Sequence, residues 1–131
     1  METAEIELNT ARRTEFRSIT ERVADAVRQR GWNDGILTVF IPHTTAAVTI
    51  NENADPDVAA DMTWFFEQHV PQMKQFRHSE GNSDAHIKAS LIGSSVQIIV
   101  KGGRLWLGTW QGIYFCEFDG PRARKVSLAF S

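Results

Sequence analysis

A chain of 131 residues is the size of one domain and is long enough to bury a core without disulfide or metal staples. With 42% hydrophobic and 23% charged residues it has an ordinary globular composition, and no run approaches the ~18 apolar residues of a membrane span. Fourteen basic against sixteen acidic residues give a net charge of −2, and the single basic block, Arg122 to Lys125, falls short of the clustered charge behind nucleic-acid affinity, so neither a membrane nor a nucleic acid is expected as partner.

The first ten residues lack a basic region followed by an apolar stretch, so no secretory signal is read there. Cys116 is the only cysteine, which favours a reducing compartment, and a cytoplasmic location is expected. Glu5 to Leu8 alternates polar with apolar and predicts a half-buried strand, with Glu15 to Ile19 as its hairpin partner across Ala11 to Arg13. Thr20 to Arg30 places Val23, Ala26 and Val27 on one helical face, with Ser18 and Glu21 at capping-box spacing and Gly31 as a left-handed end. After the Asn33-Asp34-Gly35 turn, Ile36 to Ile41 reads as a strand covered on both faces. Ala46 to Ile50 follows as another strand beyond the break at Pro42.

Asp55-Pro56 has the chemistry of a helix start, and Val58, Met62, Phe65, Phe66 and His69 recur at helical spacing until Pro71. Gln72 to Asn82 is polar and aperiodic, hence a loop, before a third helix over Asp84 to Ile92, capped by Asn82 or Ser83 and ended by Gly93. Strands are then predicted over Val96–Val100, Arg104–Leu107, Gly112–Phe118 and Lys125–Phe130. Helices among mostly antiparallel strands, without repeats or linkers, make one α+β domain over residues 1–131.

Chemistry-bearing residues concentrate between Phe40 and Asp57, where His43, Thr44, Thr45, Asn51 and Glu52 offer more hydrogen-bonding and ligating capacity than a packing strand needs. His78 in the polar loop and His86 near a helix start complete a set of three imidazoles, the type that ligates zinc with an open fourth position. The spacing by itself equally fits solvent-facing or capping histidines, because no HExxH or paired CxxC accompanies it. His69 reads as a partly buried side chain of its helix.

Glu52, Glu80 and Asp84 are the carboxylates near the histidines, each able to orient a ligand, accept a proton or stabilise a helix start. Free amides from Ser83 to Ala85 would favour an anion, with Arg122 and Arg124 as further donors or as a solvated strand start. Trp110 and Gln111, between Gly108 and Gly112, offer a flat face and an amide to a ligand, or cover the core or a subunit contact. Cys116, alternating with Tyr114 and Phe118, reads as a buried structural thiol.

The segments HTTAAVTINENADPDV at 43–58, HSEGNSDAHIKASLIGSS at 78–95 and LGTWQGIYFCEFDGPRARKV at 107–126 resemble the YjbQ-like family, described as secondary thiamine-phosphate synthases. The resemblance implies an α+β two-sheet sandwich of mostly antiparallel strands with about three helices, assembled as a homotrimer. It also implies weak joining of a pyrimidine diphosphate to a thiazole phosphate with release of pyrophosphate. By the same resemblance His43, His78 and His86 hold a divalent metal, zinc in expectation or magnesium with a diphosphate substrate. Glu80 and Glu52 are then the catalytic carboxylates, and Thr44, Asn51, Asn82, Trp110, Gln111 and Arg122, joined by Ser83 from the reading of the helix start, the residues that bind a small phosphorylated metabolite. The scarcity of phosphate-binding lysines and paired acidic magnesium ligands supports an alternative, a non-catalytic trimeric protein that binds a metal or a phosphorylated metabolite.

Overall fold

The alternation of apolar and polar residues produces two sheets, and the computed structural model describes both across residues 1–131. In chain order the elements are β1 (Glu2–Asn9), β2 (Glu15–Ser18), α1 (Thr20–Arg30), β3 (Gly35–Phe40), β4 (Ala46–Glu52), α2 (Pro56–His69), α3 (Ser83–Ile92), β5 (Ser95–Lys101), β6 (Arg104–Leu105), β7 (Gln111–Glu117) and β8 (Ala123–Phe130). A five-stranded sheet runs in the order β1-β8-β3-β5-β6, a three-stranded sheet in the order β2-β7-β4, and every pairing is antiparallel. This is the α+β sandwich with three helices that the sequence implied.

Inward residues of the two sheets meet in one core. Leu37, Val39, Ile98, Val100, Val126 and Leu128 come from the larger sheet, and Val48, Ile113 and Phe115 from the smaller. Through Val23 and Val27, α1 joins this core, as its periodicity predicts. A second cluster lies on the opposite face of β4 and β7, where Ala47, Tyr114, Cys116 and Phe118 pack against Ala85 and Ala89 of α3. Thus β7 is buried on both faces, which explains its continuous apolar run. Cys116 is the buried thiol expected, its acidity suppressed by burial.

Several local expectations are corrected. β2 does not pair with β1; its partner is β7 in the other sheet, while β1 lies along β8 over its whole length. Residues 10–14 carry the chain from one sheet to the other, and Thr10 docks its amide on the Arg122 carbonyl. The capping box at α1 does not form: Ile19 takes the cap position, and Ser18 bonds to Thr20 instead. One face of β3 is exposed, because nothing within the chain covers Ile36 and Phe40. His69 is exposed on α2 rather than partly buried, against Phe65 at a ring separation of 4.5 Å. β4 reaches two residues further than predicted, which puts Asn51 and Glu52 on the strand.

Candidate functional site

The loop between β3 and β4 places His43 at a gap in the larger sheet. β8 pairs with β1 from Ala123 to Phe130 but with β3 only from Ser127 onward, so the leading half of β8 has a free edge. His43 faces that edge, and the Lys125 N–H donates to its Nε2 at 2.9 Å. Burial first, then the positive charge of Arg124, hold the His43 pKa below its ordinary value. Arg124 and Arg122 both act against protonation while Glu117 opposes them, and the Arg124 effect is the largest of the three. Neutral His43 therefore carries its proton on Nδ1, since Nε2 is an acceptor.

Two clefts flank this imidazole. One, of about 470 Å³, runs between the His43–Ala46 segment and α3, and Thr44, His86, Ser90 and Ser94 line it. The other, of about 450 Å³, lies against β1 and the leading half of β8, lined by Glu7, Asn9, His43, Arg124 and Lys125.

His86 sits in the first turns of α3, which brings it beside the polar loop that carries His78. Their rings stand edge to face with centroids 5.3 Å apart. Glu80 Oε1 lies 3.9 Å from His78 Nε2, so this carboxylate faces the same pair. Ser83 opens α3 as predicted, with Asn82 in the cap position, yet the Asn82 side chain does not cap. Instead its Nδ2 donates to Asp119 Oδ2 at 2.7 Å, and its buried Oδ1 has no partner. The Asp84 amide is taken by Gln72 Oε1 at 3.2 Å, which leaves fewer free helix-end donors than the sequence suggested.

Beneath α3 lies an ionic network that carries the predicted Arg122 at its edge. Arg13 grips Asp84 with both guanidinium nitrogens at 3.0 Å, and Lys88, itself buried, reaches the same carboxylate at 3.2 Å. Burial pushes Asp84 upward, but the Arg13 and Lys88 bonds outweigh it and hold this carboxyl below its ordinary value. Arg122 donates to the Asp119 carbonyl and to Asp119 Oδ2, both at 3.0 Å, so it is an exposed side chain tied back to its own turn.

Four expected residues lie elsewhere. Asn51, Glu52, Trp110 and Gln111 gather at the far end of β4, where Glu52 is opposite Gln111 in the register. Six residue steps along β4 place this end ~20 Å from the His43 loop. Asn51 Oδ1 accepts the Glu52 amide at 2.7 Å, and Glu52 Oε2 accepts the Ala54 amide at 3.1 Å. Gln111 Oε1 closes the Gly108 turn at 2.8 Å, and Trp110 is 63% exposed. One chain therefore gathers His43, Thr44, His78, Glu80, Asn82, Ser83, His86 and Arg122 on one side, and these four on the other.

The donor chemistry of three imidazoles suits zinc, but their arrangement in one chain fits two ligands rather than three. His78 and His86 meet, whereas His43 has its only lone pair engaged by Lys125, and no group of three His, Cys, Asp or Glu is spaced to hold an ion.

Sequence reasoning passed over the deepest polar feature. Glu117 is fully buried, receives Thr10 Oγ1 at 2.7 Å and pairs with both Nε and Nη2 of buried Arg124, which also reaches Thr45 Oγ1 at 2.8 Å. Its signal was a carboxylate between Cys116 and Phe118 in an apolar run, a position that obliges a buried partner. No comparable signal pointed to Arg13, whose partner is distant in sequence.

Comparisons with known proteins agree with this fold. A family model described as UPF0047 protein YjbQ-like matches residues 4–131. UPF0047 protein MJ1081 of Methanocaldococcus jannaschii is 50% identical over 119 residues, covering 91% of this chain and 86% of that protein. UPF0047 protein YugU of Bacillus subtilis is 50% identical over 124 residues, covering 94% of each. A crystal structure of an uncharacterized conserved protein of the yjbq/upf0047 family from Clostridium acetobutylicum superposes with a TM-score of 0.93 at 54% identity, covering 98% of this chain and 99% of that one.

Proposed function

The chain belongs to the YjbQ-like UPF0047 family, and on that premise we propose that it acts on a small phosphorylated metabolite in the cleft between the His43 loop and α3, beside a divalent ion held by imidazoles. His86 carries this reading, because it lines the cleft and also packs against His78 at 5.3 Å. The activity in finer terms is a weak thiamine-phosphate synthase type of transfer, joining a pyrimidine diphosphate to a thiazole phosphate with release of pyrophosphate. Two imidazole nitrogens favour zinc, and a diphosphate substrate would bring magnesium. His78 and His86 are the ligands, with His43 able to join them only by giving up the Lys125 amide. When bound, such an ion polarises a phosphate oxygen or activates water.

The chain's own residues then divide the work. Glu80, 3.9 Å from His78, is the carboxylate placed to accept a proton from the bound ligand, and Thr44 contacts the ligand from the cleft wall while Ser83, which does not line that cleft, offers its amide at the α3 start. Glu52, Asn51, Trp110 and Gln111 reach the same ligand only from a neighbouring copy, which gives the proposed homotrimer a functional role. Elemental analysis of the purified protein should find zinc in the wild type. Replacing His86→Ala should remove both the ion and turnover while circular dichroism stays unchanged, and an ion retained by that variant would overturn the site.

A second reading, a non-catalytic trimer that binds a metal or phosphorylated metabolite, is favoured by the dispersal of the candidate carboxylates: Glu52 is engaged locally with Ala54, far from the histidines. Calorimetry showing tight ligand binding without product formation would select it over the transferase.

A further inference from the structure

The proposed reaction leaves one helix face and one strand edge without a role. We infer that the groove between α2 and the free edge of β2 binds an extended, basic peptide segment of another protein, which pairs its backbone with β2 and lays its cationic side chains against the acidic face of α2. The inference needs neither the reaction nor a metal ion, because this groove shares no residue with the clefts beside His43.

The strand edge is open. β2 ends its sheet, with β7 on one side and no strand on the other. The Ile19 N–H donates to the Ile113 carbonyl at 2.8 Å, and bonded pairs recur at every second residue of an antiparallel ladder. Arg17 and Glu15 therefore turn their backbone groups to β7, whereas those of Phe16 and Ser18 point away from it and have no strand to meet. A groove of about 410 Å³ runs beside them, lined by Glu15 and Phe16 of β2 and by Ala59, Ala60, Thr63 and Trp64 of α2. Glu15 and Phe16 project from opposite faces of β2, so a hollow that touches both passes round the free edge, the other edge being filled by β7. Unpaired backbone groups beside a groove are what an added strand requires.

Charge selects the occupant. Asp57, Asp61 and Glu67 are exposed on α2, the helix carries no lysine or arginine, and none of the three is ion-paired. Glu67 lines the groove, and on the far side of Trp64 an apolar hollow of about 420 Å³ is lined by Asp61, Met62, Phe65 and Phe66. Trp64, 58% exposed, thus stands between two hollows with a carboxylate in each. A lysine or arginine laid across it gains a ring face, apolar cover for its methylenes and an anion for its head. Arg12 also lines the groove and opposes a cation there, while Glu15 is already paired with Arg17, which leaves Glu67 and Asp61 as the partners. An acidic segment, an anionic membrane or the α2 of a second copy would meet like charge instead.

Fluorescence anisotropy of a labelled nonapeptide, Lys-Lys-Val-Thr-Val-Thr-Val-Lys-Lys, titrated with the full-length protein tests the groove. It should bind at least roughly ten times more tightly than the same peptide with glutamate for lysine, and salt at about 0.5 M should weaken it. Asp61→Asn combined with Glu67→Gln, and separately Trp64→Ala, all at exposed positions, should each weaken binding about tenfold. N-methylation of one alternate set of peptide amides should abolish binding and of the other set should leave it intact, because only one edge of the added strand faces β2. No binding of the lysine peptide, equal binding of the glutamate peptide, variants that bind as wild type does, or equal tolerance of both N-methylated peptides would each overturn the assignment. So would a changed oligomeric state of Trp64→Ala in light scattering, which would give this face to a second copy.

Discussion

Two carboxylates show how the individual residue sets the conditions under which this molecule is folded. Burial acts to raise the pKa of Glu117 and of Asp84, but hydrogen bonds from Arg124 and Thr10 in the first case, and from Arg13 and Lys88 in the second, leave both below their ordinary values. A depressed folded pKa means that the unfolded chain binds protons first as pH falls. The stabilisation is therefore complete above the ordinary carboxylate range of about 3.9 to 4.3 and is lost progressively as pH falls below it through the folded values. Urea denaturation between pH 7 and 2 should show a plateau and then a decline on the acid side; a stability that rises on acidification would contradict the pairing. Glu117→Ala should cost about 3–5 kcal/mol at neutral pH, because it strands a buried guanidinium. These residues were half legible in the sequence. A glutamate inside Ile113–Phe118 announces a buried partner, but which arginine answers it depends on strand alternation and pairing across the molecule.

Among the elements, α2 is the one whose stability is most nearly its own. None of its residues is buried, and its main attachments are Phe66 against Phe16 and Phe118, at ring separations of 6.3 and 5.7 Å. Its start is fully local: Asp55 Oδ1 accepts the Asp57 amide at 2.9 Å, and Pro56 fills the first helical position. Asp55→Ala should thus cost about 1 kcal/mol. Hydrogen exchange should register that loss as faster exchange across Pro56–His69, with β7 amides unaffected. Slowed or unchanged exchange in α2 would show that the cap carries no weight. The cap was readable because its chemistry spans three residues. The exposure of Phe65 was not, since helical spacing of apolar residues reports that a face exists, not what covers it.

At the scale of the whole molecule, the outer face of the five-stranded sheet is the least finished surface. Ile36 and Ile99 are directly opposite in the β3–β5 register and both are exposed, with Phe40 and Trp106 nearby on the same side. Apolar side chains aligned on an uncovered sheet face are what the proposed homotrimer would bury. Ile99→Lys should convert a trimer into monomers in light scattering without loss of β-sheet signal; a wild-type monomer, or a variant that remains trimeric, would remove that role from this face. No helix is long and apolar enough to cross a membrane. The helix bounds, the α2 cap, turn residues and the alternation that marks most strands were determined by the sequence itself, as was the family resemblance, because each depends on residue types in short continuous segments, whereas the predicted caps of α1 and α3 did not form. Tertiary structure alone decided that β2 joins β7 instead of β1, that His78 meets His86 while His43 is claimed by Lys125, and that Asn51, Glu52, Trp110 and Gln111 stand apart from them. Those outcomes turn on which distant strands close together and in what register, an energy shared by the whole core and written in no single stretch of chain.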